Sequence, residues 1–234
     1  MSLHWQSGRN DVTVVAECGL ASMSPPEHVS PVGGVLKRTI DFAVALLALV
    51  LFLPLFVFTA VLIKCWDGGP ALYVHKRIGY AGRPFGCLKF RTMVANGDEA
   101  LRRHLQSNPA AAREWAETRK LKTDPRVTEL GMILRKSSID ELPQLINVLR
   151  GDMSLVGPRP IVSEEAGLYG DELQAYLRSR PGLTGVWQIS GRSDQSYAKR
   201  VSLDRQYVEE WSLWRDVVII VKTVPVLLSA RGSY

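Results

Sequence analysis

The chain has few of the residues that usually build a reactive site. Its three cysteines, Cys18, Cys65 and Cys87, are scattered through 234 residues with no CxxC pair. An odd, dispersed set gives no disulfide framework, and none of His4, His28, His75 and His104 stands at zinc-site spacing from a cysteine. The chain therefore reads as a reduced, cytosol-facing protein. Histidines this sparse also speak against a Ser-His-Asp or Cys-His nucleophile. There is no internal repeat and no low-complexity tract. The first residues lack the basic start and early apolar run of a cleavable leader.

What is present is enough apolar residue, 46%, for one domain to bury a core, and an unevenly spread positive charge. Residues 1–33 set Arg9 against Asp11, Glu17 and Glu27, so of the formal +6 the rest of the chain carries +8. A basic body attracts phosphate, whether on nucleic acid, anionic lipid or a nucleotide substrate. Residues 1–33 show neither helical nor strand periodicity and are expected to form a flexible tail.

The pattern changes at KRTIDFAVALLALVLFLPLFVFTAVLIKCW. From Phe42 to Ile63 run 22 residues without a charge, long enough to span a bilayer as a helix. Lys37 and Arg38 lie before the run and Lys64 after it, so both ends suit the cytoplasmic side. Pro54, near the middle, removes a backbone donor and crowds the preceding turn. Two geometries remain open: a kinked span, or a helix broken at Pro54 that enters the cytoplasmic leaflet and returns.

Beyond residue 66, LYVHKRIGYAGRPFGCLKF predicts two strands around a Gly/Pro turn, with Lys76, Arg77, Lys89 and Arg91 on or near the hairpin. Residues 97–122 are helical in composition and broken near Pro109. In IDELPQLINVLRGDM, Ile139, Leu142, Leu145, Ile146 and Leu149 recur at helical spacing, ending at Gly151. Pro158 and Pro160 stiffen the chain around Arg159. A helix is expected over roughly 164–177, then a Gly-rich loop, RPGLTGVWQISGR, with Arg180, Trp187 and Arg192. The final apolar run, headed by Trp211 and Trp214 and interrupted by Lys222 and Pro225, suits an interfacial or core-packing helix.

SSIDELPQ holds adjacent acids, Asp140 and Glu141. On these residues alone a helix cap outweighs a catalytic pair: Ser138 with Glu141 three residues on outlines a capping box, and acids suit a helix start. Yet Arg135, Lys136, Arg159 and Arg192 all lie within about 55 residues, in segments that should be loops or element ends. Two carboxylates among cations can also hold Mg²⁺ against a phosphate ester.

DPRVTELGMILRKSSIDELPQLINVLRGDMSLVGPRP, followed by RPGLTGVWQISGR, resembles the bacterial sugar transferase family, the polyprenyl-phosphate phosphoglycosyl transferases that begin cell-surface glycans. The likeness runs from about Val35 to the C-terminus. It implies an α+β, mainly helical fold. Residues 34–66 would form a re-entrant helix-break-helix at the cytoplasmic face of the bacterial inner membrane. Residues 67–234 would form a small catalytic domain with a short β-hairpin and interfacial amphipathic helices. Pro54 matches the family's break, although Leu53 stands where a Ser is common.

The resemblance further implies Asp140 as nucleophile toward a UDP-sugar, with UMP expelled and undecaprenyl phosphate as acceptor. Glu141 would serve Mg²⁺ ligation or proton handling, with Asp140 also within reach of the metal. Lys89, Arg135, Arg159 and Arg192 would attend the phosphates or the nucleotide. Galactose-1-phosphate is the expected cargo, with glucose next. Membrane lipid is an expected partner, a homodimer is left open, and nucleic acid is not expected. The competing readings are a membrane-tethered nucleic-acid-binding module and a single-pass scaffold.

Overall fold

The structure is a computed structural model that describes residues 30–94, 96–118, 121, 123–191 and 196–228. Among the described residues it is mainly helical, with two small two-stranded sheets. The chain opens with α1 (Gly34–Asp67), a helix of 34 residues ending on Gly68 in the left-handed conformation. The backbone stays helical through Pro54, with no loop between two halves. Most of the tail expected at residues 1–33 lies outside the described residues. At its end the Val32 N–H donates to Arg178 O at 3.0 Å.

The contacts of α1 are unevenly distributed. Lys37, Asp41 and Ala45 are buried near its start, and Thr59 and Ile63 near its end. Between them Val50 to Pro54 are exposed all the way round, although they are apolar. α1 is also long and apolar enough to cross a membrane. Its polar start is pinned to the body. Lys37 reaches Asp216 at 2.6 Å, Asp41 accepts from Ser154 Oγ at 2.6 Å and from Leu155 N–H at 3.2 Å, and Arg38 donates to Val148 O and Leu149 O.

The hairpin forms as its β-rich runs predict: β1 (Leu72–Ile78) pairs antiparallel with β2 (Pro84–Phe90), His75 opposite Cys87. The helical stretch divides at Asn108 into α2 (Gly97–Ser107) and α3 (Pro109–Thr118), proline serving as the first residue of the second helix. α4 (Glu129–Lys136) is capped by Thr128, whose hydroxyl accepts from Gly131 N–H at 2.9 Å. Gly131 is required there, since a Cβ would fall 2.0 Å from Thr92 O. That close approach brings α4 against the end of β2.

α5 (Gln144–Arg150) stops on Gly151 at φ 92°. β3 (Ser154–Val156) then pairs in parallel with β4 (Gly182–Thr184). The helix expected over 164–177 is instead α6 (Ser163–Ala166) and α7 (Leu173–Leu177), separated by a glycine-bounded turn that ends in a 3-10 segment, Gly170–Glu172. The expected Gly-rich loop is also more ordered than its composition implies, containing β4 and α8 (Val186–Ile189). A Cβ on Gly182, the first residue of β4, would sit 2.1 Å from Gly157 N, so glycine permits this close approach. α9 (Tyr197–Glu209) and α10 (Leu213–Leu228) are the last described elements, and Leu213, Trp214, Val217 and Val221 of α10 remain exposed.

Among the described residues three apolar clusters result. The largest joins Leu145 and Val148 of α5 to Met153, Val156, Tyr207, Ile219 and Ala45. A second gathers Ile78, Ile161, Tyr169, Tyr176 and Val201. The third unites Ile63, Phe90 and Leu134 with Phe56, Ala60, Ile139 and Leu142. The late part of α1 thus packs against the two residues that flank the acidic pair.

Candidate active site

The acids do not occupy the first turn of a capped α-helix. Ser138 adopts φ 57° and ψ 17°, the left-handed region, and makes no side-chain cap. For a residue with a Cβ this costs on the order of 1–3 kcal/mol. Asp140 and Glu141 follow in a single 3-10 turn, Ile139–Glu141, and Pro143 then stands at the N-cap of α5. The expected capping box is absent: Ser138 is left-handed and its side chain makes no cap hydrogen bond. The strained turn buries Asp140 to 8% exposure, while the Glu141 side chain stays about one-third open.

Lys89, from the end of β2, sits between the two acids. Its ammonium lies 2.6 Å from Glu141 Oε1 and 3.8 Å from Asp140 Oδ2. Arg135, from the last turn of α4, donates to Thr92 Oγ1 at 2.9 Å, and its charge acts favourably on Asp140. Burial pushes the Asp140 carboxyl up to about 6, with Lys89 and Arg135 pulling down and Glu141 pushing up. Near neutral pH such a group is still mostly ionised. Three of the expected site residues therefore meet around the fourth, although up to 52 positions separate them in sequence.

Arg159 lies to one side. Its guanidinium stacks on the Trp187 ring at 4.9 Å, and Arg200 approaches the same ring at 4.6 Å. Burial lowers the Arg77 guanidinium, with the nearby Arg159 charge adding to it, and burial raises the Cys87 thiol against the opposing charges of Lys89, Arg77 and Arg159. Arg77, expected on or near the hairpin, is largely buried, donating to Pro160 O at 3.2 Å and pairing with Glu165 at 3.7 Å. Arg192 lies outside the described residues.

Among the described residues no three His, Cys, Asp or Glu side chains gather to hold a metal ion. Asp140 and Glu141 nevertheless fit Mg²⁺, which is ordinarily held by one or two carboxylates together with waters and substrate phosphates.

Sequence reasoning missed Asn147 and Asp204. Asn147 is fully buried and bridges α5 to β2, accepting from Leu88 N–H at 2.9 Å and donating to Gly86 O at 2.8 Å. Its signal was available: a polar amide inside the apolar run LINVL. Asp204, also buried, lies in a mixed-charge helix and carried no comparable signal.

A buried carboxylate among cations, set against a long apolar helix, suits group transfer involving anionic substrates, and the chain is a transferase. The profile of the family described as bacterial sugar transferase matches residues 32–230, and the chain belongs to that family. It is 56% identical over 206 residues to the exopolysaccharide production protein ExoY of Sinorhizobium fredii, spanning 88% of this chain and 91% of that protein. Identity is 49% over 199 residues to the undecaprenyl-phosphate galactose phosphotransferase of Salmonella typhimurium, spanning 85% of this chain and 42% of that one. The UDP-glucose:undecaprenyl-phosphate glucose-1-phosphate transferase of Caulobacter vibrioides is 41% identical over 206 residues, spanning 85% and 72%.

Proposed function

We propose that the protein transfers a sugar-1-phosphate from a UDP-sugar to undecaprenyl phosphate, releasing UMP, as the first membrane step of exopolysaccharide synthesis. The name of the Salmonella relative favours galactose-1-phosphate as cargo, and that of the Caulobacter relative makes glucose-1-phosphate the alternative. The ExoY relative supports the exopolysaccharide setting.

The carrying observation is the buried, mostly ionised Asp140 with Lys89 and Arg135 about it. Its carboxylate oxygen attacks the sugar-linked phosphorus. The bridging P–O bond breaks, UMP leaves with the electron pair, and an acyl phosphate of the sugar remains on Asp140. An oxygen of undecaprenyl phosphate then attacks the same phosphorus, the acyl C–O–P linkage opens at phosphorus, and the carboxylate returns. The acceptor phosphate, with a second pKa of about 6, needs no base near neutral pH. The difficulty is repulsion between anions, which fixed cations reduce. Lys89 neutralises charge at the acids, and Arg159 serves the phosphate side. Mg²⁺ held by Asp140 and Glu141 would supply further charge neutralisation at the diphosphate.

In the same reading the protein is monotopic, with α1 entering and leaving the cytoplasmic leaflet by a bend at Pro54. In a straight helix Lys37 and Ile63 would stand about 39 Å apart, more than the roughly 30 Å core of a bilayer. Both nonetheless pack on one catalytic body, while the apolar stretch from Val50 to Pro54 between them is exposed. That pattern supports a membrane-dipping apex between two ends held on one side. A site against the late half of α1 lies within reach of a lipid-borne phosphate.

The test is turnover by purified protein with Mg²⁺, undecaprenyl phosphate and a panel of UDP-sugars, read as UMP release. Asp140→Asn should abolish both UMP release and lipid product while the protein still folds and sediments with membranes. Near-normal transfer by that variant would refute the nucleophile.

A further inference from the structure

In an antiparallel pair, residues opposite one another share a face, and so do alternate residues along each strand. The hairpin register sets Lys89 opposite Tyr73, Cys87 opposite His75 and Phe85 opposite Arg77. One face therefore carries Lys89 at one end and Arg77 at the other. Four residues of strand separate these ends, a length of about 14 Å. At the Lys89 end, Phe90 clusters with Ile63 of α1, and Lys89 meets the acidic pair. At the other end Ile78 N–H donates to Ile161 O at 2.9 Å and Arg77 donates to Pro160 O at 3.2 Å. The Pro158-Arg159-Pro160 turn thus closes that end of the face.

Next to the turn stands Trp187, 5% exposed, whose ring takes the Arg159 guanidinium at 4.9 Å and that of Arg200 at 4.6 Å. Arg200 also lies over the Tyr197 ring at 5.2 Å. Among the described residues neither guanidinium forms a salt bridge. Two like charges drawn to one ring repel each other, and an anion shared between them removes that repulsion. The same place collects unsatisfied hydrogen-bonding groups. Among the described residues, the buried side-chain polar atoms without a partner are Trp187 Nε1, Gln188 Oε1, the Tyr197 hydroxyl and Arg200 Nε. Gln188 Oε1 faces the backbone at Gly185. The other three are N–H or O–H donors of Arg200 and of the two rings it lies over. Buried donors left unpaired are costly and uncommon, so three in one cluster point to a ligand rich in acceptor oxygens.

We propose that Arg200, Trp187 and Tyr197 form, with Arg159, the subsite that holds the UMP portion of the donor. The diphosphate then lies along the hairpin face, with the sugar-linked phosphorus at Lys89 and the acids and the nucleotide end at the Trp187 cluster. An extended nucleoside diphosphate covers that separation. The assignment rests on the use of a UDP-sugar proposed above, and it adds the residues that grip the leaving nucleotide. Undecaprenyl phosphate offers the same phosphate chemistry, but the late half of α1 packs at the opposite end of the face.

The experiment uses the full-length protein in nanodiscs. It reads UMP affinity by calorimetry, and KM for the UDP-sugar that is turned over and for undecaprenyl phosphate. Arg200→Gln should weaken UMP binding at least about tenfold and raise KM for the UDP-sugar to match, leaving KM for undecaprenyl phosphate within about twofold. Tyr197→Phe removes a buried hydroxyl that has no partner among the described residues. It should weaken UMP binding about threefold or more while the unfolding temperature of the unliganded protein does not fall. Arg205→Gln removes an exposed charge from the same helix and should stay within about twofold in both readings. Should Arg200→Gln fail to fold, Arg200→Lys replaces it, keeping the charge but losing the planar stack, with UMP binding weakened at least about threefold. No UMP binding by wild type, or unchanged affinity in either the Arg200 variant or Tyr197→Phe, overturns the inference. So does a loss in Arg205→Gln equal to that in Arg200→Gln, which reduces the effect to net charge. A rise in KM for undecaprenyl phosphate alone gives the cluster to the lipid phosphate and overturns it as well. Wild-type protein that binds UMP yet releases none from any UDP-sugar overturns the proposed transfer and leaves the subsite standing.

Discussion

Asn147→Ala should be among the most damaging single changes in the protein, although Asn147 lies outside the charged site. The amide is fully buried and makes three hydrogen bonds, to Leu88 N–H, Gly86 O and, at 3.1 Å, Asp152 Oδ2. Alanine leaves Leu88 N–H and Gly86 O without these partners at the junction of β2 and α5, while partly open Asp152 can turn to water. Each backbone group left unsatisfied costs about 1–3 kcal/mol, so the pair costs about 4 kcal/mol. In a chain of this length each 1 kcal/mol moves the unfolding temperature by about 2–4 °C, which predicts a fall of about 8–16 °C. Function should suffer as well, because Leu88 precedes Lys89 and α5 follows Glu141: the amide holds the ammonium in register with the acids. The assay is thermal unfolding in nanodiscs together with UMP release per folded molecule, measured below the transition. A fall of less than about 3 °C would refute the hydrogen-bond reasoning. A large fall with unchanged turnover would refute the claim that Asn147 registers Lys89 on Glu141.

Further expectations follow from the same contacts. Lys89→Met removes the ammonium between the two acids and should reduce UMP release by at least about tenfold without displacing the protein from membranes; turnover within about twofold of wild type would refute its role. Lys37→Met leaves buried Asp216 and Asp41 without their ammonium partner and should destabilise by about 3–5 kcal/mol in denaturant unfolding, since it strands buried charge. With the native cysteines removed, Leu36→Cys should react with an impermeant maleimide from the cytoplasmic side only, as should Cys65 restored alone; labelling of position 36 from outside would sink the bent α1. Stability should also depend on Asp204, whose carboxyl burial pushes up to about 7. Between about pH 4 and 7 the folded state then holds a proton that the unfolded state has released, so this contribution grows as pH falls through about 7. Asp204→Asn should remove that part of the rise in unfolding temperature between pH 8.5 and pH 5.5; an identical rise in the variant would refute it.

Much of the local structure was legible because its causes are local. Pro109 opening a helix, the hairpin around Gly79 to Pro84 and the stop at Gly151 each follow from one residue's backbone preference. Prediction failed where tertiary contacts override such preferences. The 164–177 segment had helical composition but breaks into two short helices, whose residues Tyr169 and Tyr176 enter one core from separate turns. The Gly-rich stretch at 180–192 supplies β4 because its glycines allow the close approach to Gly157. The burial of Arg77 was not legible because nothing in its neighbourhood announces the proline turn, 83 residues away, that it braces.

The sequence by itself determined that an apolar helix with basic residues at both ends precedes a basic body, and that Asp140-Glu141 and Arg159 lie in the stretch that matches the family. These are composition, spacing and motif, and they are complete in one dimension. Tertiary structure alone decided that Lys89 lies between the two acids, that Ser138 is held left-handed to bury Asp140, and that both ends of α1 rest on one body. Each of these depends on distances between segments far apart in sequence. The burial that lifts Asp140 toward neutrality comes from the packing of those segments, so no reading of eight consecutive residues could supply it.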